Sequence, residues 1–503
     1  MKSRKLIISS KQNLVSKYAK ALTKIEQKIS ALIKADKKLE IDTMLVYIDD
    51  AASCKKAGIK PIKTITAKTC KESIDLLYSK LVPAYIVILG AQDIIPFIEI
   101  KNPADDEDVT VPSDLPYACH KPYSTNIKDF TGPSRVVGRL PDIAGDSDPQ
   151  YIIKLIDNVI RSKPVDAKKY SNYFAVTCDS WKESTKQTVT NIFGNDDKLV
   201  VSPPAGKSYK PAQLKTMTHF YNCHGASNDF SFYGQKGNSY PQALHTNQLP
   251  GKISFGTIVA AECCYGAELV NNLWLGIKDQ IAIANQYLLQ GALAFMGSST
   301  IAYGPVDSQG LADLVTQYFV KEILNGASTG RAMLQARQQF LSESGPSLDP
   351  YELKTLAQFN LMGDPSVLPV FKPEIKRAAI KQNTIQNNRI NLFNKGIKLE
   401  DTIASSVKMQ RVTPSKNANK IRLLLRSTDF TKPDRKGLYK VEEKQYKAKA
   451  ASRSGKALVQ TGAKFRTFIK EASGPGDKIK RIRILIIKET DADLLGWKIY
   501  VSR

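Results

Sequence analysis

Two apolar runs of the sequence end in side chains that can carry out nucleophilic chemistry. Residues 218–225 (THFYNCHG) end in His224-Gly225, and residues 257–266 (TIVAAECCYG) contain Cys264. A cysteine thiolate is a strong nucleophile, and a neighbouring imidazole lowers the thiol pKa and protonates a departing amine. A glycine after the histidine lets a substrate approach the backbone closely, and its N–H, together with that of Cys264, can stabilise a developing oxyanion. The pattern predicts acyl-transfer chemistry by Cys264 and His224.

These two segments must be strands of one sheet if His224 and Cys264 are to meet. About 40 residues separate the two side chains, which is enough for one crossover between parallel strands. The carboxyl ends of parallel strands open at one edge, where ligands bind. Several strand-like runs are apolar throughout, which is typical of a parallel sheet covered by helices on both faces. We therefore predict an α/β fold with a mostly parallel sheet sandwiched by helices. The predicted strands cover residues 43–48, 84–89, 136–139, 173–177, 216–223, 257–261 and 291–296, and the predicted helices cover residues 11–40, 70–81, 148–161, 310–324 and 330–341.

Length and charge predict more than one domain. A chain of 503 residues is too long for one compact core. We predict an N-terminal α/β subdomain over residues 1–165, a catalytic subdomain over 166–372 and a basic β-rich domain over 373–503. The last of these holds most of the formal net charge of +25 and ends in two strand-like runs, residues 480–488 and 495–501. Such a charge suits an acidic partner, for example nucleic acid, or a solvated lysine-rich surface.

Cysteine usage and hydropathy predict a soluble cytoplasmic protein. The seven cysteines form no regular disulfide framework, which favours a reducing compartment. The apolar run near the N-terminus is too short for a signal peptide. No later segment reaches the roughly 18 apolar residues that a membrane span needs.

Ordered motifs add a family resemblance to this pattern. A strand ending in His-Gly, followed by a strand ending in an acidic residue, a small residue and cysteine, resembles the caspase-like clan of cysteine peptidases. Further segments resemble the gingipain branch of that clan, and they occur in the order found there. These segments are residues 85–97 (YIVILGAQDIIPF), 113–117 (SDLPY), 137–141 (VGRLP) and 359–369 (FNLMGDPSVLP).

The resemblance implies a role for each motif residue. Cys264 takes the place of the nucleophile, His224 that of the catalytic acid and base, and Gly225 that of the oxyanion-binding glycine. Cys263 stands where relatives usually have a small residue such as alanine. Cys263 therefore stays an alternative nucleophile.

The same resemblance suggests which peptide bonds the protein would cleave. The residue two before the nucleophile lines the S1 pocket, which receives the side chain before the scissile bond, and Glu262 holds that place here. A carboxylate in this pocket attracts a basic side chain and rejects an acidic one. Asp114 lies in a segment that supplies S1 or histidine-orienting acids in gingipains. We predict a cysteine endopeptidase that cleaves after Arg or Lys, with the basic stretch Lys444–Lys456 as a self-processing site.

Other interpretations of these residues have to be weighed. A Cys-Cys pair at a strand end is often only part of a core. The alternative function is a non-catalytic caspase-like scaffold that binds nucleic acid or another acidic partner through its basic C-terminal domain. By analogy with gingipains, that domain is expected to be immunoglobulin-like. The acidic run Asp105–Asp108 is a candidate Ca²⁺ site or a solvated loop, and no other cofactor is expected. The sequence has no cysteine and histidine spacing typical of a zinc site.

Overall fold

The computed structural model describes residues 3–277, 279–371, 382–403, 407–441, 462–473 and 479–503. Strands and helices alternate over most of these residues, as the sequence pattern predicts. The basic stretch Lys444–Lys456 and the predicted domain boundary at residue 372 lie outside them.

The regular elements fall into three successive parts of the chain. The first part contains β1 (Ser3–Ser9), α1 (Lys11–Tyr18), α2 (Leu22–Lys38), β2 (Ile41–Tyr47), α3 (Ala51–Ala57), α4 (Ala67–Leu81), β3 (Tyr85–Leu89), β4 (Ile98–Lys101), β5 (Thr110–Ser113), β6 (Val137–Leu140), α5 (Gln150–Arg161), β7 (Val165–Asp166) and α6 (Ala167–Ser171). The second contains β8 (Tyr173–Cys178), α7 (Lys182–Phe193), β9 (Leu199–Ser202), α8 (Pro211–Leu214), β10 (Thr218–Asn222), β11 (His224–Gly225), β12 (Ser231–Tyr233), β13 (Gln242–His245), β14 (Ile258–Ala261), α9 (Asn272–Leu275), α10 (Ile283–Leu289), β15 (Ala294–Ser298), β16 (Tyr303–Gly304), α11 (Leu311–Leu324), α12 (Thr329–Ser344), α13 (Pro350–Gln358), β17 (Phe359–Met362) and β18 (Val370–Phe371). The third contains α14 (Gln382–Thr402), β19 (Val407–Met409), α15 (Ala418–Ser427), β20 (Arg435–Val441), β21 (Lys464–Ser473), β22 (Lys480–Glu489) and β23 (Leu494–Ser502).

A ten-stranded sheet forms the centre of the molecule, in the order β2-β1-β3-β6-β17-β15-β14-β10-β8-β9. Neighbouring strands are parallel except at the junction of β17 with β15, which is antiparallel. The sheet therefore consists of two parallel blocks that run in opposite directions. The α/β class and the mostly parallel sheet predicted from the sequence are confirmed. The sheet continues across residue 165, and the subdomain boundary placed there stays a prediction.

The first strand of the sheet was not predicted from the sequence. β1 has Arg4 and Lys5 ahead of its short apolar run. In the structure the ammonium of Lys5 is fully buried and lies 2.6 Å from Asp36 and 2.9 Å from Asp364. Buried charges are tolerated when they are paired in this way, so the lysine is compatible with an interior strand.

A second, antiparallel sheet lies at the C-terminal end, in the order β16-β23-β22-β21-β20-β19. Alternate residues of β22 face opposite sides. Ile484 and Ile486 join the main core, while Leu485 and Ile487 pack with Ile421 and its neighbours on α15. The β-rich domain is therefore present, but its described residues form one sheet buried on both faces. That arrangement differs from the two facing sheets of an immunoglobulin-like sandwich.

One strand links the two sheets to each other. β16 follows β15 of the central sheet after four residues, and it pairs with β23 of the C-terminal sheet. Tyr303 lies opposite Ser502, and Gly304 lies opposite Val501. The C-terminal strand therefore reaches the edge of the central sheet at which β10 and β14 end. In the described part of the chain, no helix is long and apolar enough to cross a membrane.

Candidate active site

The two predicted catalytic segments lie side by side. β10 and β14 are parallel neighbours, with Tyr221 opposite Ala261. Just beyond both strands, Gly225 lies against Cys264. A Cβ added at Gly225 would fall 1.8 Å from the carbonyl oxygen of Cys264, so only glycine permits this approach. The structure thus brings His224, Gly225 and Cys264 together at one rim of the sheet.

Cys264 stands at a tight turn that leaves the end of β14. Tyr265 follows it with φ of 54°, an uncommon value for a residue with a side chain, and donates its N–H to the carbonyl of Thr300 at 3.0 Å. The N–H of Ala302 points at Sγ of Cys264 at 3.3 Å. Burial raises the pKa of the Cys264 thiol to about 12. The thiol is therefore protonated in this state of the molecule.

Cys263 points away from this rim. Its Sγ lies 4.0 Å from the carbonyl of Tyr221 and beside the Cys223 thiol, in the interior of the sheet. Its own carbonyl accepts a hydrogen bond from the hydroxyl of Ser298 at 3.0 Å. These contacts fix the backbone of Cys263, which precedes Cys264.

The ring of His224 is oriented by residues that the sequence did not single out. Nε2 of His224 lies 2.8 Å from Oε1 of Gln235, and the amide nitrogen of Gln235 donates to the carbonyl of Gly237 at 2.9 Å. That second bond fixes the amide, so Nε2 carries the proton and Nδ1 the lone pair. Trp181 and Tyr240 pack against the ring, with centroids 4.5 and 5.2 Å away. Burial lowers the pKa of His224 to about 4, so the ring is neutral here.

Arg503 occupies the space in front of Cys264. Its N–H donates to the carbonyl of Ala302 at 2.9 Å, and its own carbonyl accepts the N–H of Cys264 at 3.4 Å. Its side chain is fully buried, and Nη2 donates to both carboxylate oxygens of Asp313 at 2.9 and 3.0 Å. Nη2 also donates to the carbonyl of Pro305 at 2.8 Å.

Two neighbouring acids, Glu262 and Asp313, form the floor of this arginine pocket. Glu262 is fully buried, accepts a hydrogen bond from Thr316 at 3.0 Å and lies close enough to Asp313 for the two acids to interact electrostatically. Burial, together with the charge of Asp313, raises the pKa of Glu262 well above its ordinary value. Glu262 therefore holds a proton, and Asp313 is the carboxylate that faces Arg503. The one sequence signal for Asp313 is its position in the first turn of the predicted helix 310–324.

An aromatic ring and a glycine form the walls of the pocket. The guanidinium of Arg503 lies over the ring of Trp181, 4.6 Å from its centroid, in a cation–π contact. A Cβ at Gly304 would fall 2.1 Å from Nη2 of Arg503. A side chain at position 304 would therefore fill the pocket.

Asp114, the second acid predicted to line S1, has a different partner. Its two carboxylate oxygens accept hydrogen bonds from Arg139 at 2.6 and 2.9 Å, and its N–H donates to Asn360. The same arginine donates to the carbonyls of Gly90 and Ile95. Asp114 therefore ties together segments of the N-terminal block, and the acid next to Glu262 in the pocket is Asp313.

The acidic run Asp105–Asp108 surrounds a buried lysine. Nζ of Lys354 lies 2.5 Å from Asp106 and 2.6 Å from Asp108. Asp108 also accepts hydrogen bonds from the hydroxyl of Tyr265 and the N–H of Ile301, and Asp106 accepts one from the hydroxyl of Tyr303. The lysine ammonium thus fills the position between these carboxylates where a cation would sit. A role for Ca²⁺ stays a prediction, and the residues that the structure describes contain no His, Cys, Asp and Glu cluster able to hold a metal.

We expect Lys354→Met to lower the free energy of unfolding by about 3–5 kcal/mol, because it leaves two buried carboxylates without a counter-charge. Urea denaturation followed by fluorescence measures this loss. Lys28→Met is the matched control, since the side chains of its ion pair with Asp157 are 40% and 34% exposed and the pair should contribute about 1 kcal/mol or less. Equal losses in the two variants would show that the buried lysine is not a structural centre.

One family of known proteins matches most of the chain. The sequence model of the family described as Peptidase family C25 matches residues 3–370. Among solved structures, separase from Saccharomyces cerevisiae, in its complex with securin, is similar with a TM-score of 0.30 and 14% identity. That match covers 47% of this chain and 14% of the separase chain. The comparison with curated proteins found no match.

Proposed function

Because the chain belongs to peptidase family C25 and is a cysteine-type peptidase, we propose that it cleaves peptide bonds after basic residues, with Cys264 as nucleophile and His224 as acid and base. The position of Arg503 is the observation that supports this proposal. Its carbonyl accepts the N–H of Cys264 while its guanidinium is held by Asp313. A substrate arginine in the same position would present its scissile carbonyl to the thiol.

In the proposed reaction, the Cys264 thiol first gives its proton to Nδ1 of His224, which forms a thiolate and an imidazolium. The thiolate attacks the carbonyl carbon, and the electrons of the C=O double bond move to the oxygen. The N–H groups of Cys264 and Gly225 donate to this oxyanion. As the carbonyl re-forms, the C–N bond breaks, the His224 imidazolium gives its proton to the departing amine, and a thioester remains on Cys264. His224 then takes a proton from a water molecule that adds to the thioester. The C–S bond breaks, which releases the acid product and restores the thiolate and imidazolium.

The pocket favours arginine over lysine. A planar guanidinium can stack on Trp181 while it donates to Asp313, whereas an ammonium lacks the planar surface for stacking. The negative charge of Asp313, with Glu262 behind it, would reject an acidic side chain. In this proposal Glu262, the S1 residue predicted from the sequence, would act through Asp313.

Product mapping tests this proposal. The full chain is incubated with a peptide mixture, and mass spectrometry should find cuts mainly after arginine, with lysine second. An arginyl chloromethyl ketone should modify one cysteine, and peptide mapping should locate the adduct on Cys264. Cuts mainly after uncharged or acidic residues would refute the specificity. A protein that neither cleaves nor reacts, and that binds nucleic acid less tightly as salt increases, would favour the non-catalytic scaffold.

A further inference from the structure

We infer that residues 494–503 form an intramolecular, substrate-like ligand, which occupies the cleft on the acyl side of the scissile bond and keeps the peptidase latent until it is displaced. This inference rests on the proposed function, because it assigns a regulator to the same cleft. The competitor is a segment of the chain itself, with Arg503 in the S1 pocket.

The backbone of this segment binds as an extended peptide would. β23 pairs antiparallel with β16 through Ser502 and Val501, and Arg503 continues the pairing with an N–H donated to Ala302. Addition of a strand to an exposed sheet edge is a general way to bind extended peptides, because the main chain supplies the hydrogen bonds and a pocket supplies the specificity. Here the edge is β16 and the pocket holds the arginine.

The side chain of Arg503 makes this binding selective. The guanidinium is fully buried. It donates hydrogen bonds to Asp313 and to the carbonyl of Pro305, and it makes a cation–π contact with Trp181. An isolated carboxylate in this pocket would carry a large desolvation cost, so the arginine stabilises the occupied state. A substrate must supply an equivalent cation before it can replace Arg503.

The segment is held in place from its other edge. β22 pairs with β23 from Arg483–Val501 to Glu489–Leu494. Two side chains of β23 also bind the helix α13 region, Lys498 to Glu352 at 2.7 Å and Tyr500 to Asp349 at 3.1 Å. This tethering gives the ligand a high effective concentration at the cleft.

Part of the strand is nevertheless loosely packed. A cavity of about 730 Å³ is lined on one side by Trp497 and Ile499 of β23 and on the other by Leu314 and Phe340 of α11 and α12. Trp497 and Ile499 therefore border open space, whereas Tyr500 packs in the main core and would leave it when the strand is released. While residues 494–503 occupy the cleft, a substrate or reagent in solution has little access to the Cys264 thiol, since Cys264 is only 4% exposed.

The variant Arg503→Ala in the full chain tests the inference, with two independent measurements. The first is the rate at which iodoacetamide alkylates Cys264, and the second is kcat/KM for a short arginyl peptide. We expect both values to rise at least tenfold. Only the molecules whose cleft is open can react, so occupation of the cleft lowers each apparent value in proportion to the fraction of open molecules. Arg422→Ala is the control, since it removes an equal charge from an exposed position on α15 and should change neither value.

A peptide with the sequence of residues 494–503 (LLGWKIYVSR) should inhibit the Arg503→Ala variant, and the same peptide with alanine at its last position should not. A measurement on the wild type covers the case in which this variant folds poorly. After complete modification of Cys264 by the arginyl chloromethyl ketone, hydrogen exchange of residues 494–503 should accelerate while that of β10 and β14 stays unchanged.

The outcomes separate this inference from the proposed function. Faster alkylation of Cys264 without peptide cleavage would support occlusion of the cleft and refute the peptidase assignment. Equal cleavage and equal alkylation by the wild type and Arg503→Ala would overturn the inference and leave the peptidase assignment standing. Unchanged exchange of residues 494–503 in the modified wild type would overturn the inference as well.

Discussion

Cys264→Ala should reduce cleavage of arginyl peptides to background, a loss of at least about 10⁴-fold in kcat, because no thioester can form without the nucleophile. Cys263→Ala should keep activity within about threefold of the wild type. The Cys263 thiol lies among Tyr221 and Cys223 inside the sheet, and its removal leaves only a small cavity. The measurement is kcat/KM of both variants beside the wild type.

Circular dichroism and thermal melting of the two variants provide the control for folding. Both substitutions remove one sulfur atom from neighbouring buried positions. A difference in activity between them therefore reflects the position of the thiol and not the type of substitution. If Cys264→Ala were active and Cys263→Ala inactive, Cys263 would be the nucleophile and Cys264 the structural thiol.

In the Arg503→Ala background, where the pocket lacks its internal arginine, Asp313→Asn should lower kcat/KM for arginyl peptides by about 150- to 5,000-fold, which corresponds to the 3–5 kcal/mol lost when one partner of a buried ion pair is removed. Glu262→Gln should cost less than about tenfold. Glu262 is already protonated in the occupied pocket, and glutamine preserves its neutral, hydrogen-bonding character. The two variants are isosteric with the wild type, so the comparison isolates which acid carries the charge.

Peptides with arginine, lysine and glutamine before the scissile bond provide the measurement for this pair. Asp313→Asn should lose discrimination between arginine and glutamine, whereas Glu262→Gln should retain it. A greater loss in Glu262→Gln than in Asp313→Asn would make Glu262 the charged group of the pocket.

The site residues that could be predicted from the sequence are those that directly follow strands of the central sheet. His224 and Cys264 follow apolar strands of ordinary length, and a parallel sheet brings consecutive strand ends to one rim. Asp313 and Gln235 could not be found this way. Each stands on a separate element, α11 or the loop after β12, and reaches the site only through tertiary packing.

The motifs that carried the family resemblance turn out to serve the scaffold as well as the chemistry. Asp114 and Arg139 belong to two such motifs and form one buried ion pair. Asp364, from the Gly-Asp-Pro motif, binds Lys5 of β1. The order of motifs could identify the fold, but it could not distinguish an acid that recognises substrate from one that holds strands together. Burial and the identity of the partner decide that question, and neither is visible in a single sequence.

The strand β16 belongs to both the cleft and the C-terminal sheet, and this double membership has a thermodynamic consequence. A molecule that binds the C-terminal sheet only after β23 has left β16 must raise the affinity of the cleft for substrate. By reciprocity, substrate must raise the affinity for that molecule by the same factor. Under the inferred latency, the basic C-terminal domain would be a heterotropic effector site that contributes no atom to catalysis. The coupling free energy would equal the difference in the effector's binding energy between the two positions of β23.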